Sequence, residues 1–151
     1  MIQRIQSLYL LVSAILGVVC LSMPLGQFLT AHSEPYACLY NLWSKNLETG
    51  SHNFAPWALF ALLLIATSLT FLDIFLYKHR ALQMRVLTLC MILLVGYYAY
   101  LAFFVYMHMG ECSFTPRVTA ALPFVCIVLD YLAFRGILKD EMLVRSLDRL
   151  R

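Results

Sequence analysis

TFLDIFLYKHRALQMRV, residues 70–86, marks the point where one long apolar stretch ends and another begins. The apolar run at its start carries a single acid, Asp73, and gives way to Lys78, Arg80 and Arg85 within a few residues. An apolar stretch of about 20 residues is long enough to cross a lipid bilayer as a helix. We therefore interpret this segment as a turn between two membrane-spanning helices, with its basic side chains outside the hydrocarbon.

The composition indicates a chain that is surrounded partly by lipid. Of the 151 residues, 62% are hydrophobic and 13% are charged, whereas about 25% of the residues in soluble domains are charged. So few polar side chains cannot cover a water-soluble globule of this size. The Lys and Arg residues are dispersed over short connections, and this pattern excludes the basic stripe of a nucleic-acid-binding protein.

Four stretches are long and apolar enough to span a bilayer, namely 8–29, 55–77, 86–107 and 118–138. Backbone polar groups in hydrocarbon need partners within their own segment, which favours helices. The predicted fold is an all-α membrane protein, a four-transmembrane-helix bundle over 1–138 with a cytoplasmic tail over 139–151. Pro24 is expected to end or bend the first helix, because proline cannot continue the backbone hydrogen bonding.

The distribution of Lys and Arg predicts the orientation, because basic loops stay on the cytoplasmic side of a membrane. The two terminal segments and the 78–85 turn hold nine of the eleven basic residues, and the opposite loops hold only Lys45 and Arg117. The prediction is a multi-pass protein of the bacterial inner membrane with both termini in the cytoplasm.

Two acids lie within the predicted spans at matching depths. Asp73 precedes Lys78 by five residues, and Asp130 precedes Arg135 by five residues in a span of the same direction. At the helical rise per residue, both carboxylates lie roughly 7–8 Å above the inner ring of basic residues.

The two acids have two interpretations. In the favoured one, each points toward the headgroups or pairs with a basic neighbour, the candidates being Arg4, Arg80 and Arg85. In the alternative, Asp73 and Asp130 form a shared carboxylate pair that binds a proton or a cation, as acids in membrane proton relays do. Few other polar residues occur at mid-depth in the other spans, and this favours the anchoring interpretation.

The five cysteines fall into two groups. Three lie within the predicted spans, where a lone cysteine behaves as a small apolar residue. Cys38 and Cys112 lie in the two outward loops, where oxidising conditions permit a disulfide, and we predict a structural bridge between them. No C-x-x-C pair, zinc-ligand spacing or phosphate-binding glycine loop occurs, so no catalytic residue, cofactor or metal site is predicted.

The tail KDEMLVRSLDRLR, residues 139–151, has the pattern of a short amphipathic helix. Leu143, Leu147 and Leu150 recur at helical spacing on one face, and the charges around them are mixed in sign. Mixed charge around a leucine stripe suits a protein surface better than anionic lipid. The predicted cytoplasmic interaction face combines the tail leucines with basic residues of the inner ring: Arg4, Lys78, Arg80, Arg85, Leu143, Leu147 and Leu150.

Three segments together, MIQRIQSLYLL (1–11), YKHRALQMRV (77–86) and KDEMLVRSLDRLR (139–151), resemble a family of uncharacterised four-helix inner-membrane proteins of Gram-negative bacteria, a domain-of-unknown-function family. The resemblance covers nearly the whole chain. It implies four spans with both ends inside, and it implies no activity, ligand or catalytic residue.

These observations lead to three hypotheses about function. The first is a non-enzymatic accessory or scaffold subunit in the lipid bilayer that binds a protein partner through its cytoplasmic face. The second is a small proton- or ion-coupled transporter that uses Asp73 and Asp130. The third is a membrane thiol-redox protein that uses Cys38 and Cys112, and the missing C-x-x-C pair counts against it.

Overall fold

A computed structural model describes residues 2–30, 34–108 and 112–148, without the side chains of residues 2–4, 78 and 144–148. The protein is mostly helical, as expected. Its four long helices are α1 (Ile2–Ser22), α2 (Trp57–Asp73), α3 (Arg80–His108) and α4 (Leu122–Asp148). A 3₁₀ turn, Ile74–Lys78, joins α2 to α3, and a second one, Val118–Ala121, leads into α4. Four helical segments are long and apolar enough to cross a membrane.

The buried residues of each helix form one seam that alternates three- and four-residue steps. In α3 the seam runs Gln83, Leu87, Cys90, Leu94, Tyr97, Leu101 and Phe104. A mean step of 3.5 residues keeps one face of a helix turned toward its neighbours when helices pack at a shallow angle. Each helix accordingly packs against two others, in the ring order α1, α2, α3 and α4. Neighbours around the ring run antiparallel, as in an up-and-down helical bundle.

A small antiparallel sheet covers one end of the helices, and the all-α prediction did not include it. Its strands are β1 (Gly26–Leu29), β2 (Pro35–Leu39), β3 (Ser44–Asn46), β4 (His52–Asn53) and β5 (Ser113–Pro116). They lie in the order β4-β3-β2-β1-β5. Residues 26–29 were assigned to the first span, and this boundary was wrong. The helix ends at Ser22 ahead of Pro24, and the apolar residues after the proline pair with β2 and β5 instead.

Asn41 ties the connection after β2 to two helices. Its side chain is fully buried, and its Nδ2 donates to the backbone carbonyl of Cys20 at 2.7 Å. The Tyr97 hydroxyl on α3 donates to Asn41 Oδ1 at 2.8 Å. Buried polar groups that are paired in this way fix the position of a segment, because leaving any one of them unpaired costs free energy. The sheet is therefore held at a defined place over the helices.

The two ends of the helical ring differ in character. We call the end covered by the sheet the sheet end. The opposite end contains the first turn of α1, the 3₁₀ turn Ile74–Lys78 and the last turns of α4, and we call it the turn end.

Candidate functional site

Asp73 and Asp130 occupy positions on the buried seams of their helices. In α2 the seam ends Ala66, Thr70, Asp73, and in α4 it continues from Cys126 through Asp130 to Ala133. A residue at a seam position points to the interior of the ring whatever its polarity. Both acids are accordingly 0% exposed, and they face each other across the ring from α2 and α4.

The two carboxylates lack the partners that buried charges usually have. None of their four oxygens accepts a hydrogen bond from any residue that the structure describes. The two groups are also close enough to interact electrostatically. An isolated charge in an apolar interior is costly, and a second charge of the same sign nearby raises that cost. The free-energy cost of such an arrangement falls when a cation neutralises one of the charges, and the smallest such cation is a proton.

Small polar side chains from the other helices surround this carboxylate pair. Ser13 of α1 lies beside Asp130, and the thiol of Cys90 on α3 is within electrostatic range of both acids. The Cys126 thiol, one turn away on α4, interacts with Asp130.

These neighbours direct their own hydrogen bonds to backbone carbonyls. The Cys90 thiol contacts the carbonyl of Ala66 at 3.8 Å, and the Thr70 hydroxyl donates to the same carbonyl at 3.0 Å. The Cys126 thiol contacts the carbonyl of Ser13 at 3.4 Å. The two thiols and the Thr70 hydroxyl are thus engaged with backbone carbonyls. The Ser13 hydroxyl is the one donor among these neighbours that lies beside a carboxylate, that of Asp130, at a geometry short of a hydrogen bond.

A cavity of about 290 Å³, lined mostly by residues that carry polar groups, opens at the turn end of the helices. Gln6 and Gln83, both nearly buried, form its inner wall together with five further residues: Ser7, Tyr77, Arg80, Ile137 and Asp140. Gln83 Nε2 donates to the backbone carbonyl of Asp73 at 3.2 Å, and Gln6 Nε2 donates to Asp140 Oδ2 at 2.9 Å. Gln83 therefore connects the lining of the cavity to the backbone of Asp73.

The structure does not show the anchoring that the sequence favoured for the two acids. Both carboxylates lie in the interior and not at a surface. Of the expected basic partners, Arg80 lines the cavity and Arg85 is exposed. The side chain of Arg4 lies outside the described residues. The predicted matching depth agrees with the electrostatic contact between the two acids.

The predicted disulfide is not formed in this structure. Cys38 and Cys112 are both free thiols. Cys38 lies opposite Gln27 of β1, and Gln27 lies opposite Thr115 of β5 on its other side. Two strand spacings, about 10 Å, separate β2 from β5, and this exceeds the distance between Cα atoms that a disulfide spans. The thiol-redox hypothesis therefore loses its geometric basis.

The predicted tail continues α4 as part of the same helix, which runs to Asp148. Met142 and Leu143 are 57% and 51% exposed. The side chains of Lys78 and Leu147, and all of Leu150, lie outside the described part of the chain, so this portion of the predicted interaction face stays a prediction.

Sequence reasoning missed the buried glutamines and the role of Ser13. A signal was present, because Gln6, Leu10, Ser13, Gly17 and Cys20 repeat the three- and four-residue steps of a seam. Extending that pattern to polar residues would have placed Gln6 and Ser13 in the interior.

Comparison with known proteins gives a family but no activity. A family model described as "Domain of unknown function (DUF4293)" matches residues 2–150, and this confirms the resemblance to a family of unknown function. No curated protein matches the chain.

Proposed function

We propose that this chain, which belongs to the family of the DUF4293 domain of unknown function, spans a membrane with four helices and binds protons or small cations at Asp73 and Asp130. It would then act as a small proton- or ion-coupled membrane protein. The proposed function is the second of the three hypotheses drawn from the sequence.

The proposed orientation follows from the charges at the two ends. The turn end and the segments that lead to it carry nine basic residues: Arg4, Lys78, Arg80, Arg85, Arg135, Lys139, Arg145, Arg149 and Arg151. The sheet end carries Lys45 and Arg117. Because basic segments are retained on the cytoplasmic side, the turn end faces the cytoplasm and the sheet faces outward. The location is the inner membrane of a bacterium.

One observation carries the proposal. Two carboxylates are fully buried between the helices, and neither has a hydrogen-bond partner among the described residues. Acids inside membrane-spanning helices are costly, and they mark proton or ion pathways. A structural anchor would instead hold its carboxylate against a basic side chain or a set of donors. The geometry therefore favours a binding site over an anchor.

The proposal predicts a proton flux that depends on both acids. Purified protein in liposomes with a trapped pH-sensitive dye should collapse an imposed pH difference. The variant Asp73→Asn/Asp130→Asn should be as slow as protein-free liposomes, because amides do not exchange protons as carboxyl groups do. The control variant Glu48→Gln changes an exposed acid of the β3–β4 turn and should behave as the unmodified protein. Equal flux through the double variant and the unmodified protein would rule the proposal out.

A second candidate is an accessory or scaffold subunit that binds a protein partner through the turn end. The observation in its favour is the exposure of Met142 and Leu143 on the last turns of α4, next to charged residues of the tail. A contiguous apolar patch with a polar rim marks a docking surface, and these two side chains would form part of such a patch together with the predicted tail leucines. A scaffold needs no proton movement, so the flux experiment separates the two candidates.

A further inference from the structure

The carboxylate pair lies much nearer to the turn-end cavity than to the sheet end. On α1, one buried position, Leu10, separates Gln6 from Ser13, and on α3 only Leu87 separates Gln83 from Cys90. On α2, Asp73 is the last buried residue. The barrier toward the cavity is a single apolar layer, made of Leu10, Leu87, Ala133 and Ile137. Ile137 also lines the cavity, so it is the member of this layer that borders the cavity.

The path toward the sheet end is longer and apolar. On α3 alone, four more buried residues lie beyond Cys90: Leu94, Tyr97, Leu101 and Phe104. They belong to a large apolar cluster that includes sheet residues Phe28 and Leu39. Tyr97 also holds the Asn41 anchor in place. A cavity of about 250 Å³ at this end is lined by Phe28 and Phe104, and the buried residues Leu94, Tyr97 and Leu101 lie between it and Cys90.

The chemistry around the acids suits a proton better than a metal ion. Ca²⁺ and Mg²⁺ need about six or more oxygen ligands. Besides the two carboxylates, the neighbouring groups are the Ser13 and Thr70 hydroxyls and the thiols of Cys90 and Cys126. No group of three or more His, Cys, Asp or Glu residues in the described chain is arranged to hold a metal. A proton needs only one carboxylate oxygen, and each of the two acids supplies two.

We infer that the ligand of the carboxylate pair is a proton, and that it enters from the turn-end cavity past Gln6, Gln83 and the apolar layer at Ile137. This inference rests on the proposed function and adds the identity of the ligand and its route. The side chains of Gln6 and Gln83 provide polar groups between the cavity and the apolar layer, and that layer separates bulk water from the acids. Opening that layer admits the proton from the turn end, and the flux that the proposed function predicts then needs a second state in which the pair opens toward the sheet end.

A water-soluble carbodiimide tests the route, because it modifies protonated carboxyl groups that it can reach. The full chain is placed in lipid nanodiscs, which leave both ends accessible, and modification of Asp73 and Asp130 is followed by peptide mass spectrometry. Ile137→Ala thins the layer and should speed modification about tenfold, which corresponds to about 1.4 kcal/mol less for opening. The matched control Leu63→Ala shortens a buried aliphatic side chain on the sheet side of the acids. It should leave the modification rate of Asp73 and Asp130 unchanged. Gln83→Leu should slow it.

The outcomes separate the route from the proposed function. The route is overturned if modification is faster in Leu63→Ala than in Ile137→Ala, or equally fast in both. If Ile137→Ala does not fold, Gln83→Leu takes its place, and an unchanged modification rate in that variant overturns the route. A membrane-permeant carbodiimide reaches the acids from the lipid without the cavity. If it modifies neither acid at any pH, the proposed function fails and the route falls with it. Protection of the acids by Na⁺ or Mg²⁺ at constant pH would overturn the identification of the ligand as a proton.

Discussion

Replacing Gly17 by alanine should destabilise the protein by about 1–3 kcal/mol, the usual cost of overpacking a tight contact. A Cβ atom at Gly17 would overlap Cγ2 of Thr67 on α2. Thr67 cannot easily turn aside, because β-branched side chains are restricted in helices and its hydroxyl donates to the carbonyl of Leu63. The added methyl group therefore pushes α1 and α2 apart along their whole contact. Thermal unfolding in detergent, followed by circular dichroism, measures the loss.

Two further variants make this prediction specific. Thr67→Ser removes the overlapping Cγ2 atom and keeps the hydroxyl, so adding it to Gly17→Ala should restore most of the lost stability. Gly96→Ala is the matched control on α3, where a Cβ atom meets nothing within 4 Å. It should stabilise the helix by up to about 1 kcal/mol. Equal losses in Gly17→Ala and Gly96→Ala would show that helix α1 does not approach α2 as closely as described.

Replacing either buried acid by asparagine should stabilise the protein, although it removes one of the two proposed proton-binding groups. Asparagine has nearly the shape of aspartate and no charge, so the variant avoids the cost of a buried carboxylate and of its like-charged neighbour. We expect a gain of about 1–4 kcal/mol at alkaline pH, by analogy with the range found when buried ion pairs are replaced by uncharged apolar residues of similar volume. The gain should shrink as the pH falls, because a protonated Asp73 or Asp130 is already neutral. Thermal unfolding across a pH series measures both trends.

The control for this prediction is Asp140→Asn. That carboxylate accepts a hydrogen bond from Gln6 at 2.9 Å, so its replacement should weaken a charge-assisted contact and add no stability. A loss of stability in Asp73→Asn and Asp130→Asn would mean that the acids are structural anchors with partners of their own. Stability gained at a site that binds a ligand is a common trade between stability and function.

The comparison of sequence and structure shows which features were predictable. Hydropathy locates four long helices, because a segment without charges for 20 residues has few other stable forms in lipid. The sheet was missed because its strands are short: residues 26–29 continue the apolar run of α1, and the pairing of β1 with β2 and β5 is a tertiary property. The five-residue spacing to Lys78 and Arg135 predicts a similar depth for the two acids. Whether each acid points inward depends on which face of its helix packs against the neighbouring helices, and the spacing does not give that face.

The disulfide prediction shows the same limit. Cys38 lies in β2 and Cys112 directly precedes β5, and their places in the two predicted outward loops suggested a bridge. The sheet order, with β1 between β2 and β5, separates them. Strand order depends on pairing between distant segments, and the local sequence around either cysteine does not predict it.

The most direct measurement of the central claim is the infrared carbonyl band of protonated carboxylic acids, recorded at neutral pH on the protein in lipid. Solvent-exposed Asp and Glu side chains are ionised under these conditions and do not contribute to it. If the carboxylate pair holds a proton, the unmodified protein shows the band, and it disappears in Asp73→Asn/Asp130→Asn. Absence of the band from the unmodified protein, or an unchanged band in the double variant, would contradict proton binding at these two acids.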